Sequence, residues 1–274
     1  MGLFDIFKKE QKDAFDNTAI QQNAVNDRGS RVGATYTGFS IIDDVVNSNR
    51  IKYAHIIAAI KRGNYEVTYC AEDGFAIWDK STDCLMPESL SENAVLNITS
   101  NCSGPQLRKV ETTSQDIYEY LSHKIKYNHY QVCIQGVCEK SIKTQRNNII
   151  RPATADDLGF IKSTYYDMDI NALLERIQSG NLWMMCEPRT GYVVGYCGIH
   201  DDDTIGFTFI SPDRRRHGLG LEIMDYVTDI LASRGFVPYV QILSHNVAEI
   251  KLCHKLGYEY NSDGFLYWMF DEYA

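Results

Sequence analysis

No stretch of this 274-residue chain is apolar for long enough to span a membrane, and its start, MGLFDIFKKEQ, lacks the apolar core of a secretory signal. Ile6 stands where an N-myristoylation signal needs Ser or Thr. Basic residues are in the minority: 27 Lys and Arg against 36 Asp and Glu, a net charge of −9. Nonspecific nucleic-acid binding needs a basic face that releases counterions, so the composition argues against that partner. The eight cysteines, at 70, 84, 102, 133, 138, 186, 197 and 253, form no Cys-x-x-Cys pair and no zinc spacing. Several lie in apolar runs such as LWMMCEP and VVGYCGI, where a free thiol behaves as a small hydrophobe. These absences predict a cytoplasmic protein with reduced thiols, no metal, no membrane and no nucleic-acid partner.

What is present suits two domains of ordinary size, since 44% apolar and 12% aromatic residues are ample for packed cores. Residues 1–33 are polar and aperiodic and read as a mobile leader. Residues 34–142 read as a smaller α+β domain. FSIIDDVVNSNRIKYAHIIAAIKRG is helical in its spacing and stops at Gly63, while YEVTYCA and GFAIWDK alternate as strands around the turn EDG. AVLNITSN is expected as a strand, SQDIYEYLSHKI as a helix and HYQVCIQGVCE as a strand; KSIKTQRNN follows as a linker.

Residues 148–274 form the second unit. Thr154 with Asp157, and Asp169 before INALLERIQSG, mark two helix starts. NLWMMCE, YVVGYCGI and TIGFTFI read as a meander of three strands, followed by a helix with Leu219, Ile223, Val227 and Ile230 on one face. FVPYVQIL, NVAEIKLCHKLG and GFLYWMF then give strand, helix and strand. The order predicts a mixed α/β fold, a mainly antiparallel sheet with flanking helices.

Between the third strand of the meander and its helix lies PDRRRHGLGLEIMDY. A helix N-terminus already carries partial positive charge, so Arg214, Arg215, Arg216 and His217 are misplaced there unless an anion binds. A P-loop would need Lys-Ser or Lys-Thr after its glycines, and a dinucleotide loop a third glycine where Ile223 stands; neither fits. What remains is Arg-x-x-Gly-x-Gly on Arg215, Gly218 and Gly220, whose amides can face a pyrophosphate.

This stretch resembles the acetyl-CoA loop of the GNAT superfamily of N-acyltransferases, V-x-P-x-x-R-x-x-G-x-G, with Ile210 for the valine and Pro212, Arg215, Gly218 and Gly220 in register. The resemblance covers 148–274 and includes the family's Asn-led helix at Asn246, Lys255, Leu256, Gly257 and Tyr258, with Glu249 for its alanine and Cys253 for its tyrosine. It implies transfer of an acetyl or short acyl group from acetyl-CoA to a primary amine, on a small molecule or peptide, in a ternary complex. By the same resemblance the CoA-binding residues are Ile210, Arg215, Arg216, His217, Gly218, Leu219, Gly220 and Asn246. The resemblance further implies that a backbone amide near Ile210 meets the thioester oxygen. Asn246 also reads as a helix cap with Glu249, its amide hydrogens left free.

The family often places a glutamate early in the fourth strand; Thr204 holds that position here, leaving His200 or Asp203 as candidate base, while Asp203, in the DDD of 201–203, reads also as a residue of a solvated hairpin turn. By the same register Cys253 is the candidate acid for the departing sulfur; read from its neighbours alone it packs on an apolar face with Val247, Ile250 and Leu256. The lost tyrosine and the missing strand carboxylate equally suit a non-catalytic acyl-CoA sensor that kept the cleft. Residues 34–142 resemble a degenerate copy of the same fold with no Arg-x-x-Gly-x-Gly, and their element order equally suits an unrelated α+β module.

Overall fold

The computed structural model describes residues 36–91, 94–165 and 168–271; the expected leader lies outside them. The long helical stretch near the start is two helices, α1 (Tyr36–Ser48) and α2 (Ala54–Arg62), because the Asn49 carboxamide accepts the Lys52 N–H and turns the chain between them. A hairpin of β1 (Tyr65–Ala71) and β2 (Gly74–Asp79) is extended by β3 (Cys84–Ser89). AVLNITSN, expected as a strand, is instead helix α3 (Ala94–Ser100). Ala94, Val95 and Ile98 recur at helical spacing and face the core, while Leu96 between them is exposed. β4 (Lys109–Thr112), α4 (Gln115–Lys124) and β5 (His129–Val137) complete the first unit.

Residues 139–148 have no regular structure, yet they are a strap rather than a loose linker. Thr144 donates to the Asp225 carboxylate through both N–H and hydroxyl, and the Asn147 and Asn148 N–H groups donate to Glu222. β6 (Ile149–Pro152), α5 (Leu158–Lys162), α6 (Ile170–Gln178), β7 (Leu182–Cys186), β8 (Val193–Ile199) and β9 (Ile205–Ile210) follow. The Thr154–Asp157 capping box and the Asp169 cap are both formed. Then come α7 (Leu219–Ser233), β10 (Tyr239–Leu243), α8 (Val247–Lys255), β11 (Glu259–Tyr260) and β12 (Leu266–Phe270).

The strands form two sheets, β6-β7-β8-β9 and a larger one in the order β1-β2-β3-β4-β12-β5-β10, with β11 also on β5. The pairing crosses the expected boundary in both directions. β5, from the first unit, lies antiparallel between β10 and β12 of the second, with Ile134 opposite Ile242 and Val132 opposite Tyr267. β12 in turn lies between β4 and β5, with Tyr267 opposite Thr112. Side chains reinforce the seam: Arg62 of α2 pairs with Asp79 at 2.6 Å and with Asp203, beyond β8, at 2.8 Å. α7 and α8 pack Ile223, Met224, Val227, Ile250 and Cys253 into one core against the sheets.

Candidate active site

β9 and β10 are parallel neighbours that separate almost at once; among the described residues one isolated bridge, Thr204 to Tyr239, joins them. The cause is a bulge. Tyr196 pairs with Phe209 and Gly198 with Gly206, so a two-residue step on β8 faces a three-residue step on β9. Phe207, inside the bulge, has φ 52°, a left-handed conformation that costs a non-glycine residue about 1–2 kcal/mol. The His200 ring stacked on Phe207, centroids 4.0 Å apart, and Tyr165 at 5.1 Å hold it there. Beyond the bulge the Ser211 N–H donates to Val194 O, and strand alternation turns the Ile210 N–H away from β8, into the opening. Arg215 Nε donates to Ile210 O at 3.0 Å and ties the following loop to this point.

That loop makes one 3₁₀ turn over Pro212–Arg214 and enters α7 through Arg216 at φ 66° and Gly218 at φ 82°. Gly218 is the N-cap and brings no side-chain acceptor, so the first amides of α7 have no side-chain cap. Glu222, the acid of that first turn, is drawn to the strap, where it also accepts from Asn148 Nδ2 at 2.7 Å. Arg214 is paired with Glu187 at 2.9 Å. A helix terminus with partial positive charge is thus left facing a cavity of about 690 Å³ lined by Ile210, Arg215, Arg216, Gly218, Leu219, Gly220 and Asn246. His217 is exposed and does not line it. The two glycines differ in purpose. Gly218 is required by its φ, whereas a Cβ on Gly220 would lie 2.6 Å from Leu252 Cδ1, so Gly220 lets α7 approach α8.

A second cavity of about 650 Å³ opens on the other side of β9. His200, Asp201, Asp202, Phe207, Tyr165 and Arg176 line it from the second unit, Lys80 and Lys109 from the first, and Trp268 and Phe270 from the last strand. Arg176 is neutralised by a two-pronged pair with Asp201, both contacts 2.5 Å. Thr208, Phe209, Asn246 and Glu249 line both cavities. Asn246 caps α8 by accepting the Glu249 N–H at 3.3 Å, as expected, but its amide hydrogens are not all free: Nδ2 donates to Glu249 Oε2 at 2.8 Å. Burial pushes the Glu249 carboxyl up to about 6.

The three candidate catalytic residues sit in different settings. His200 lines the second cavity, and burial lowers its pKa despite the nearby Asp202 carboxylate, which acts the other way. Asp203 lines neither cavity; its carboxylate is taken by Arg62, so it clamps the two units together. Cys253 also lines neither. It is fully buried with Sγ 3.7 Å from Met224 Sδ, and burial, with Glu249 adding to it, holds the thiol well above its ordinary pKa. The α8 face turned to the first cavity carries Ala248, Lys251, Leu252 and Lys255, which leaves Cys253 pointing inward beside Ile250. Two features escaped sequence reading. Glu249 was legible as a cap, and its departure from the family's alanine was the available signal. The cavity walls from β4 and β12 carried no local signal, because strand pairing across the units brings them there. Among the described residues no cluster of His, Cys, Asp or Glu is arranged to hold a metal, and no helix is long and apolar enough to cross a membrane.

No curated protein matches the chain. Several solved structures share its fold at low identity. A Drosophila protein aligns with a TM-score of 0.54 at 15% identity, covering 71% of this chain and 73% of its own. A GCN5-related N-acetyltransferase from Kribbella flavida aligns at 0.50 and 10%, covering 82% and 95%. A conserved protein of unknown function from Staphylococcus epidermidis aligns at 0.50 and 13%, covering 77% and 95%. Residues 150–258, which hold the bulged strand, the Arg/Gly loop and the Asn246 helix, match the model of the acetyltransferase (GNAT) family, and this part of the chain is a GNAT acetyltransferase domain.

Proposed function

We propose that the protein is an acyl-CoA-dependent N-acyltransferase that moves an acetyl or short acyl group to a primary amine. The observation that carries this reading is the uncapped start of α7, flanked by Arg215 and Arg216 and opening onto the gap between β9 and β10. In this reading the pyrophosphate of acetyl-CoA rests on the amides of residues 216–220 with the two arginines as charge partners. Its pantetheine arm passes Leu219 and Asn246 into the gap, and the Ile210 N–H meets the thioester oxygen as charge builds on it. The acceptor enters the second cavity, so both units build its walls. Residues 34–142 are read as a degenerate copy of the fold: three antiparallel strands, a helix, a parallel strand, a helix and a last strand recur in the same order.

Gly218→Val tests the cradle. A β-branched side chain at φ 82° displaces the loop and blocks backbone approach to an anion. CoA affinity, measured calorimetrically, is expected to fall at least thirtyfold while the circular dichroism spectrum stays unchanged. A folded variant with normal affinity would mean that the anion binds elsewhere. Release of free thiol from acetyl-CoA with a panel of amines, amino acids and short peptides tests the reaction itself.

A further inference from the structure

A donor in one cavity and an acceptor in the other can meet only across the rim the two cavities share, made by Thr208, Phe209, Asn246 and Glu249. Glu249 is the one ionisable side chain of that set. We propose that Glu249 is the base that removes the proton from the acceptor ammonium and that Asn246 is its positioning residue, an inference that rests on the acyltransfer reading. The family pattern has alanine at this position, so the carboxylate is a property of this chain.

The other acids near the acceptor cavity are committed. Asp201 is held by Arg176, Asp202 accepts from the N–H and hydroxyl of Thr204, Asp83 accepts from Trp78 Nε1, and Asp203 is clamped by Arg62. Glu249 accepts one side-chain hydrogen bond, from Asn246 Nδ2, which fixes the carboxylate at the rim. The titratable groups that feel its charge most directly are Cys133 of β5, Cys197 of β8, Cys253 of α8 and Tyr260 of β11, and burial holds each of them neutral. The charged and titratable groups that share its cavities include Arg215, Arg216, Lys251 and Lys255 on the first side, and Lys80, Lys109, His200, Asp202 and the Arg176–Asp201 pair on the second. With its pKa raised to about 6, Glu249 is ionised at neutral pH and more basic than an ordinary carboxylate.

The step balances. The ammonium gives one proton to Glu249, and the freed amine forms a C–N bond to the thioester carbon. As the C–S bond breaks, the second nitrogen proton passes to the departing sulfur, and Glu249 later returns its proton to solvent. The products are an amide, CoA thiol and one proton.

Glu249→Gln keeps the size of the side chain and an acceptor for Asn246. The expected result is CoA affinity within twofold of wild type, with kcat/KM on the best amine lower by 10²–10⁴-fold and the acid limb near pH 6 gone. Glu249→Asp recovers part of the activity, and His200→Gln keeps the limb. A Glu249→Gln enzyme within tenfold of wild type that retains the limb, with the limb lost in His200→Gln, would overturn the proposal in favour of the histidine. Wild-type protein that fails to bind acetyl-CoA, or binds it and acylates no amine of the panel, would overturn the acyltransfer reading and this proposal with it.

Discussion

Two pairs of parallel strands in this chain part company after a single point of contact, and they end differently. β3 and β4 meet at Leu85 and Val110, as β9 and β10 meet at Thr204 and Tyr239. Between β3 and β4 the opening is closed by side chains. The buried Glu88 carboxylate accepts from the Thr113 N–H at 2.7 Å, the Thr113 hydroxyl at 2.6 Å and the Ser114 hydroxyl at 2.9 Å, while Thr112 donates to Pro87 O. Between β9 and β10 no such plug is present among the described residues, and the gap runs into both cavities. The same topological opening can therefore be spent on stability or left for a ligand. The choice is made by a few residues: a glutamate facing Thr-Thr-Ser in one case, an aromatic bulge and an Arg/Gly loop in the other.

The largest effect is expected from separating the two pairs. Residues 145–274 hold every sequence motif of the site, yet without the first unit β10 and β12 both lose β5 and β12 also loses β4. Unsatisfied strand edges and the uncovered apolar face should leave the fragment without a cooperative unfolding transition or measurable CoA binding. A soluble fragment that binds CoA like the full chain would show the open gap to be independent of the closed one.

Next is the plug itself. Glu88→Ala strands three buried donors and His55, whose Nε2 lies 3.6 Å from Glu88 Oε1. Removing one partner of a buried polar set costs about 3–5 kcal/mol, read as a lower urea midpoint at unchanged CoA affinity. If CoA affinity falls with stability, the two openings are coupled and the division of labour between them fails.

These experiments also mark how far the sequence could be read. The Arg/Gly loop, the Asn246 cap and the strands of the second unit were legible because each is local: a turn, a cap or an alternation within ten residues. The α3 helix was misread because AVLNITSN is short and rich in β-branched residues, and its burial on one face decided the outcome. The exchange of β5 and β12 between units is set by pairing over more than a hundred residues, which no local periodicity encodes. For the same reason Asp203 read as a turn residue or a base, although its partner Arg62 lies 141 positions away.

A smaller effect is expected from Glu111 on β4, which faces the seam beside the plug and accepts from Gln241 Nε2 of β10. Burial raises its carboxyl to about 7, with Asp202 adding to the rise and His55 opposing it. The folded chain thus keeps a proton that the unfolded chain releases near pH 4.5, so stability falls as pH rises from about 4.5 to 7. Glu111→Gln removes this dependence. Urea titrations should show the variant more stable than wild type above pH 7, by on the order of 3 kcal/mol, with the two converging below pH 4.5. Parallel profiles would mean that Glu111 is charged in the fold at neutral pH.

The smallest effect on turnover is expected at Cys253, where the open gap and the core beneath it are easiest to confuse. By resemblance this position holds the acid that protonates the departing sulfur, and loss of such an acid typically costs 10²–10⁴-fold. The thiol, however, is buried beside Met224 and Ile250 and lines neither cavity, and burial raises its pKa well above the ordinary value, which makes it a poor proton donor. The sulfur of CoA can instead take the second proton of the attacking nitrogen, which already sits next to it. Cys253→Ala should therefore change turnover less than twofold and lower stability by about 1 kcal/mol through the small void it leaves. Cys253→Tyr, which would restore the family's residue, should instead overpack the core at a cost of about 1–3 kcal/mol. A tenfold loss of turnover in the alanine variant, with CoA affinity intact, would mean that α8 rotates when CoA binds and brings position 253 from the core to the gap.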